Sequence, residues 1–176
     1  GLIEKTRLKG MILTPPLSDS KELLRMVSKT GMPCTLISPG SDKIRSDSII
    51  TNDYESSKEM VAHIISKGHR DIALIKGHPG HMALKRRTQG YLDAIKDSNM
   101  KVNDSFIFQG YNSFESGMEC GKEIMKMRKK PTAIFAANDE MASGVMKVII
   151  DSGYEVPKDF SIAGFDDTPV SQMLNP

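Results

Sequence analysis

Two short stretches of this 176-residue chain place amide and carboxylate side chains directly after apolar runs. Asn138 and Asp139 follow Thr132-Ala133-Ile134-Phe135-Ala136-Ala137, and Asp166 and Asp167 come soon after Phe160-Ser161-Ile162-Ala163. A β-branched apolar run that ends in a polar loop predicts a buried parallel strand delivering side chains to a cleft at its carboxyl end. Two other runs end the same way. His78 and His81, with Lys85, Arg86 and Arg87 just beyond, follow Ile72-Ala73-Leu74-Ile75, and Tyr111, Asn112 and Ser113 follow Phe106-Ile107-Phe108. Four loops on one side of a sheet thus offer guanidinium, amide and carboxylate groups. A polyhydroxylated ligand needs that mixture, because carboxylates accept from hydroxyls while Arg and Asn donate to them.

Each residue also has a plainer use. Asn138 or Asp139 can cap the helix that follows, and Asp167-Thr168-Pro169 has the composition of a turn. Of the two aspartates, Asp166 is nearer the strand end and is the candidate ligand contact. Arg86 and Arg87 are expected in the first turn of a helix, where a cation opposes the macrodipole and so suggests a functional reason. Arg87 shares the face of Leu84 and Tyr91 and is the one expected to point inward. His78 and His81 sit in a Pro/Gly loop with no third ligand nearby, so no metal is expected. The chain has no Gly-x-Ser-x-Gly elbow, no evident Cys–His pairing, and no dinucleotide or phosphate-loop pattern among Gly77, Gly80 and Gly90. No cofactor is expected. Asp139 with Asp166 is the one carboxylate pair that glycoside hydrolysis could use.

The elements that must position these groups alternate strand and helix, which predicts an α/β fold with parallel sheets. Met11–Leu13, Thr35–Ile37 and Ser48–Thr51 read as strands, with a helix over Asp19–Lys29 opened by an Asp19/Glu22 capping box. Ser56 with Glu59 opens the next helix, which Gly68 ends. Strand–helix units then follow regularly: Ile72–Ile75 with Ala83–Lys96, Phe106–Phe108 with Phe114–Met127, and Ile134–Ala136 with a helix burying Met141, Val145, Val148 and Ile149. Phe160–Ala163 closes the series. Gly117 and Gly121, one turn apart, predict close helix–sheet packing. From about Glu55 the count gives a complete four-stranded lobe, whereas the first fifty residues are too few for a comparable core.

Bulk composition narrows the classes. With 24 basic and 22 acidic residues the net charge is +2, which gives no electrostatic footprint for nucleic acid. Arg128-Lys129-Lys130 reads as a solvated helix end. Cys34 and Cys120 lie within apolar patterns, as buried free thiols in a reducing cytoplasm would. No run is long enough for a membrane span. Gly1, which is not a Met and leads straight into the charged helix-like stretch Leu2–Lys9, and Pro176, in mid-loop, read as the ends of a piece of a longer chain.

Lys67-Gly68-His69-Arg70-Asp71-Ile72-Ala73-Leu74-Ile75, then Arg87 with Gly90-Tyr91, then Asn138-Asp139-Glu140-Met141-Ala142-Ser143-Gly144 and Gly164-Phe165-Asp166-Asp167-Thr168-Pro169, together resemble the lactose-repressor/galactose-repressor family of regulators. The likeness runs from about Gly10 to Pro176. It implies a periplasmic-binding-protein-like core of two lobes, each a parallel sheet flanked by helices. The first lobe (1–52) would be incomplete here, the second would span 53–169, and 170–176 would begin the return segment. It implies an effector, usually a sugar or nucleobase, held between the lobes, and operator DNA bound through a helix-turn-helix domain that this chain lacks. Lobe closure would shift a homodimer between DNA-competent and DNA-incompetent states. Arg87 matches the family's effector-binding arginine, Asn138 and Asp166 match cleft positions, and Asp53 matches an acidic residue that reads as structural. The family often has an aromatic residue at Asn112, here flanked by Tyr111 and Phe114, and some relatives carry Asp at Ser38. Arg87→Ala is expected to weaken effector binding and leave the fold intact. Dimerisation would use the helix after Asn138 and Val170–Leu174, with a charge at Ser143 expected to break it. A secreted sugar receptor shares this architecture, and a hydrolase using Asp139 and Asp166 is the enzymatic alternative.

Overall fold

The computed structural model describes residues 8–40 and 46–174. Of the helix-like stretch at the start, only Leu8 and Lys9 are described, and neither is helical; Pro176 lies outside the described residues. The chain divides into two compact units, Gly1–Asn52 with Gly80–Ala83, and Asp53–Pro79 with Leu84–Pro176.

In the first unit β1 (Met11–Leu13), β2 (Cys34–Ile37) and β3 (Asp47–Ile49) form a parallel sheet in that order. Helix α1 (Lys21–Lys29) buries Leu24 and Val27. Its cap is Ser20, whose Oγ accepts from Leu23 N at 3.3 Å, and not Asp19 as the capping-box pattern predicted. Asp19 instead closes a preceding 3-10 turn, Leu17–Asp19.

The second unit is a three-layer sandwich. Its sheet runs β5 (Ile107–Gln109), β4 (Ile72–Lys76), β6 (Ala133–Ala136), β7 (Ser161–Ala163), all parallel. β4 and β6 are buried throughout apart from Lys76, so their side chains feed two cores by alternation. Ile72, Leu74, Ala133 and Phe135 pack with Val61, Ile64, Tyr91 and Ile95 of α2 (Asp53–Ser66) and α3 (Met82–Asp97). Ala73, Ile75, Ile134 and Ala136 pack with Cys120, Ile124, Val145 and Ile149 of α4 (Phe114–Lys126) and α5 (Asp139–Asp151). A short α6 (Pro169–Met173) follows β7. None of the described helices is long and apolar enough to cross a membrane.

Three expectations need correction. Helix α2 starts at Asp53, three residues before the Ser56/Glu59 signal, because Asp53 is itself drawn wholly into the interior. Phe106 belongs to a 3-10 turn, Asp104–Phe106, and the strand begins at Ile107. Gly117 and Gly121 serve helix–helix contact: a Cβ on Gly117 would lie 2.7 Å from Met141 Cα, and one on Gly121 3.0 Å from Val148 Cβ, both on α5. Gly68 does end α2 as expected; its φ of +96° suits glycine, and its N–H donates to Ile65 O at 2.9 Å.

Burial pushes the Cys120 thiol up to about 11, with Glu123 adding to the rise. The thiolate is the nucleophile, so Cys120 should resist alkylation by iodoacetamide at pH 8 in the folded chain and react on unfolding. Modification of native Cys120 at the rate of a free peptide thiol would contradict this packing.

Candidate functional site

The site is built on the carboxyl ends of the second unit's strands. Arg87 lies in the second turn of α3, since the helix starts at Met82, so the macrodipole argument from a first-turn position does not apply. Its side chain is 10% exposed and turned inward, toward the strand ends. Nε donates to Asp53 Oδ1 at 2.8 Å. Nη1 donates to Ala137 O at 2.7 Å and pairs with Asp166 Oδ1 at 2.8 Å. The Phe165 ring covers the guanidinium, with Cζ 3.6 Å from its centroid, so the cation is held by a stacked aromatic as well as by two carboxylates. None of these bonds uses Nη2 or Asp166 Oδ2.

Asp53 is fully buried, and its bond to Arg87 explains why a carboxylate tolerates that position. Asp166 differs, with 36% of its side chain exposed. Desolvation holds its carboxyl above the ordinary aspartate value; Arg87 pulls the other way, and the neighbouring Asp139 and Asp53 add to the rise. A raised folded value means the folded chain binds this proton more tightly than the unfolded one. The resulting stabilisation is complete below the unfolded value and is lost as pH rises through the folded one. Carbon-13 titration of Asp166 should therefore show a midpoint above that of aspartate in an unfolded peptide, and a midpoint below it would contradict the burial described.

Asn138 caps α5, with Oδ1 accepting from Met141 N at 3.0 Å, while its Nδ2 donates to Asn112 O at 3.2 Å. Asn112, at φ +65°, accepts from His78 N through Oδ1 at 2.9 Å. One asparagine thus joins the loops after β4, β5 and β6. Tyr111 is 57% exposed, with its ring edge-on to His78 at 6.0 Å. Ser38 belongs to the first unit: it ends β2 at φ +44°, donating its N–H to Ile49 O at 2.8 Å.

The structure therefore brings Arg87 and Asp166 into direct contact, with Asn138 and Asn112 bonded to each other beside them. The sequence reading missed the Phe165 ring and the Ala137 carbonyl. An aromatic residue set between a strand end and an aspartate was the available signal for Phe165; nothing in sequence marks a backbone carbonyl. Asp139 is not the cap. It is buried, and its Oδ2 accepts from Thr168 N at 2.7 Å and Thr168 Oγ1 at 3.1 Å. Ser143 is also buried, donating to Glu140 O at 2.8 Å, so a charge there would disturb this chain's own interior before it reached a partner. Removing Arg87 would take the ion-pair partner from the buried Asp53, so Arg87→Ala is expected to cost stability and not to leave the fold intact. No cluster suited to a metal occurs among the described residues.

Parallel strands between helix layers, with ion-paired and amide side chains at the strand ends, have the layout at which open α/β sheets bind ligands. Residues 61–176 match the model of the periplasmic binding protein-like domain. A probable HTH-type transcriptional repressor, ExuR of Bacillus subtilis, is 32% identical over 170 residues, 97% of this chain and 51% of that protein. Among solved structures, a sugar-binding LacI-family transcriptional regulator from Escherichia coli, complexed with phosphate, matches with TM-score 0.87 at 26% identity, over 98% of this chain and 62% of that one. The transcriptional regulator CelR in complex with cellobiose matches with TM-score 0.89 at 25% identity, over 97% and 53% respectively. The chain belongs to the periplasmic-binding-protein-like domain family, in the form carried by LacI-family transcriptional regulators. It spans about half the length of the curated relatives it matches.

Proposed function

We propose that this chain is the effector-sensing core of a DNA-binding transcriptional repressor, and that Arg87 and Asp166 hold the effector. The carrying observation is the Arg87 geometry. The guanidinium is fixed by Asp53, Ala137 O and Phe165, yet its Nη2 donors and the Asp166 Oδ2 acceptor are not used by those bonds. A fixed donor beside an acceptor suits two hydroxyls of one ligand, and fixing it beforehand reduces the entropy lost on binding. A neutral sugar is the effector class we assign, in keeping with the cellobiose bound by CelR. Asn112 and Asn138 would shape the rim and Tyr111 would offer a ring face. Ser38 remains a candidate on sequence grounds.

The relatives named above favour a regulator over a secreted receptor, since ExuR and CelR are a probable transcriptional repressor and a transcriptional regulator. They favour it over an enzyme too, and Asp139, engaged by Thr168, is poorly placed to be the second carboxylate of a hydrolase. A homodimer acting in the cytoplasm completes the reading, with a DNA-binding domain supplied by the rest of the protein. Duplexes selected from a random library by the full-length protein, with and without each neutral sugar of a panel, test it. Selective retention of one sequence, altered by one sugar, is expected. Retention of no sequence under any condition would contradict the repressor assignment.

A further inference from the structure

The loop that presents Phe165 and Asp166 to Arg87 has two consecutive residues with left-handed backbone, Asp166 at φ +106° and Asp167 at φ +53°. Aspartate tolerates the left-handed region near φ +53°, but the φ of +106° at Asp166 lies beyond it, so that conformation persists only if its surroundings enforce it. Three side-chain anchors do so. Asp166 meets Arg87 Nη1 at 2.8 Å, Asp167 accepts from Ser171 Oγ at 3.0 Å, and Thr168 gives both its N–H and its hydroxyl to Asp139. Asp167 and Ser171 are exposed, and Asp166 is the group that a ligand would engage. Asp139, by contrast, is buried and rooted at the start of α5, and its Oδ2 is committed to Thr168.

Two details show how strongly Asp139 holds the loop. Thr168 is the N-cap residue of α6 but makes no side-chain cap bond, because its hydroxyl is turned to Asp139 instead. At the other end of the loop, a Cβ on Gly164 would collide with Asp139 Oδ1, so the backbone passes directly against the carboxylate. Asn138 does the capping of α5, which leaves Asp139 free for this second task.

We propose that Asp139 is a positioning residue for the effector site: by gripping Thr168 and closing on Gly164, it keeps the loop in the strained form that stacks Phe165 on Arg87 and aims Asp166 at it. This rests on the reading of the Arg87–Asp166 face as the effector site. Its test needs no effector, so the two can fail separately.

The test is the side-chain Nε–H resonance of Arg87 in the unliganded full-length protein. A ring stacked on the guanidinium displaces that signal upfield, and Phe165→Leu calibrates the displacement. Asp139→Asn should lose most of it while the core methyls of Ile134 and Val145 keep their positions. The Thr168 amide should also exchange roughly 10-fold faster or more, the size of one lost hydrogen bond to a charged group. Thr168→Val, which removes only the hydroxyl, should give part of the effect, and Thr168→Ser should restore the wild-type signal; these variants decide the matter if Asp139→Asn does not fold. An Arg87 signal unmoved in folded Asp139→Asn, or in Thr168→Val, would overturn the proposal.

Discussion

Arg87→Ala should destabilise the second unit by about 3–5 kcal/mol, the cost of breaking a buried ion pair by removing one partner. The loss comes from the partner left behind. Asp53 is fully buried, and its Oδ1 faces Arg87 Nε at 2.8 Å. Without the guanidinium a buried carboxylate loses its ion-pair partner, while Ala137 O and Asp166 each lose a partner as well. A double variant, Arg87→Met with Asp53→Asn, removes both charges and should recover part of the loss. Urea unfolding of the two single variants and the double measures the coupling, and equal, strictly additive losses would show that the pair is not a unit. Because the fold is affected, a loss of ligand binding in Arg87→Ala alone says little about the site.

Gly117→Ala should also be costly, for a different reason. The new Cβ would lie 2.7 Å from Met141 Cα and closer still to Met141 O, which are backbone atoms of α5 that no rotamer change can move. The contact is reciprocal, since a Cβ on Gly144 of α5 would meet Phe114 O and lie 2.9 Å from Met118 N, both on α4. Each alanine therefore forces the helices apart across the core that holds Cys120, Val145 and Ile149. We expect a loss of about 1–3 kcal/mol or more from such overpacking, read as a lower urea midpoint with unchanged slope. A Gly117→Ala variant as stable as the parent would mean that α4 and α5 do not pack backbone to backbone.

The burial of β4 and β6 was legible in the sequence because fully buried parallel strands leave uninterrupted apolar runs, and the loops after them could be named from that alone. Arg87 and Asp166 were legible by type and position. Their bonding was not: Asp53, Arg87 and Asp166 are far apart along the chain, and nothing local says that one guanidinium serves both carboxylates. Helix phase placed Arg87 inward, and it is buried, although the reason drawn from the macrodipole did not hold. The glycines were recognised as packing devices but given the wrong partner, since a small residue announces a close approach without saying what approaches. Asp139 and Asn138 were interchangeable in sequence as caps; only geometry separates the cap from the residue that reaches Thr168.

The Arg87–Asp166 pair, on this account, receives a sugar and does no chemistry on it. Asp166→Asn isolates that claim, because Asp166 is partly exposed and its loss leaves Arg87 bonded to Asp53 and Ala137 O. The decisive measurement is calorimetric titration of cellobiose and a panel of neutral mono- and disaccharides into the full-length protein and its Asp166→Asn variant. The account predicts saturable binding of one sugar, recovered unchanged, with affinity roughly 10- to 100-fold weaker in the variant, as for one charge-assisted hydrogen bond. Equal affinity in both proteins, or hydrolysis of the bound sugar, would contradict it.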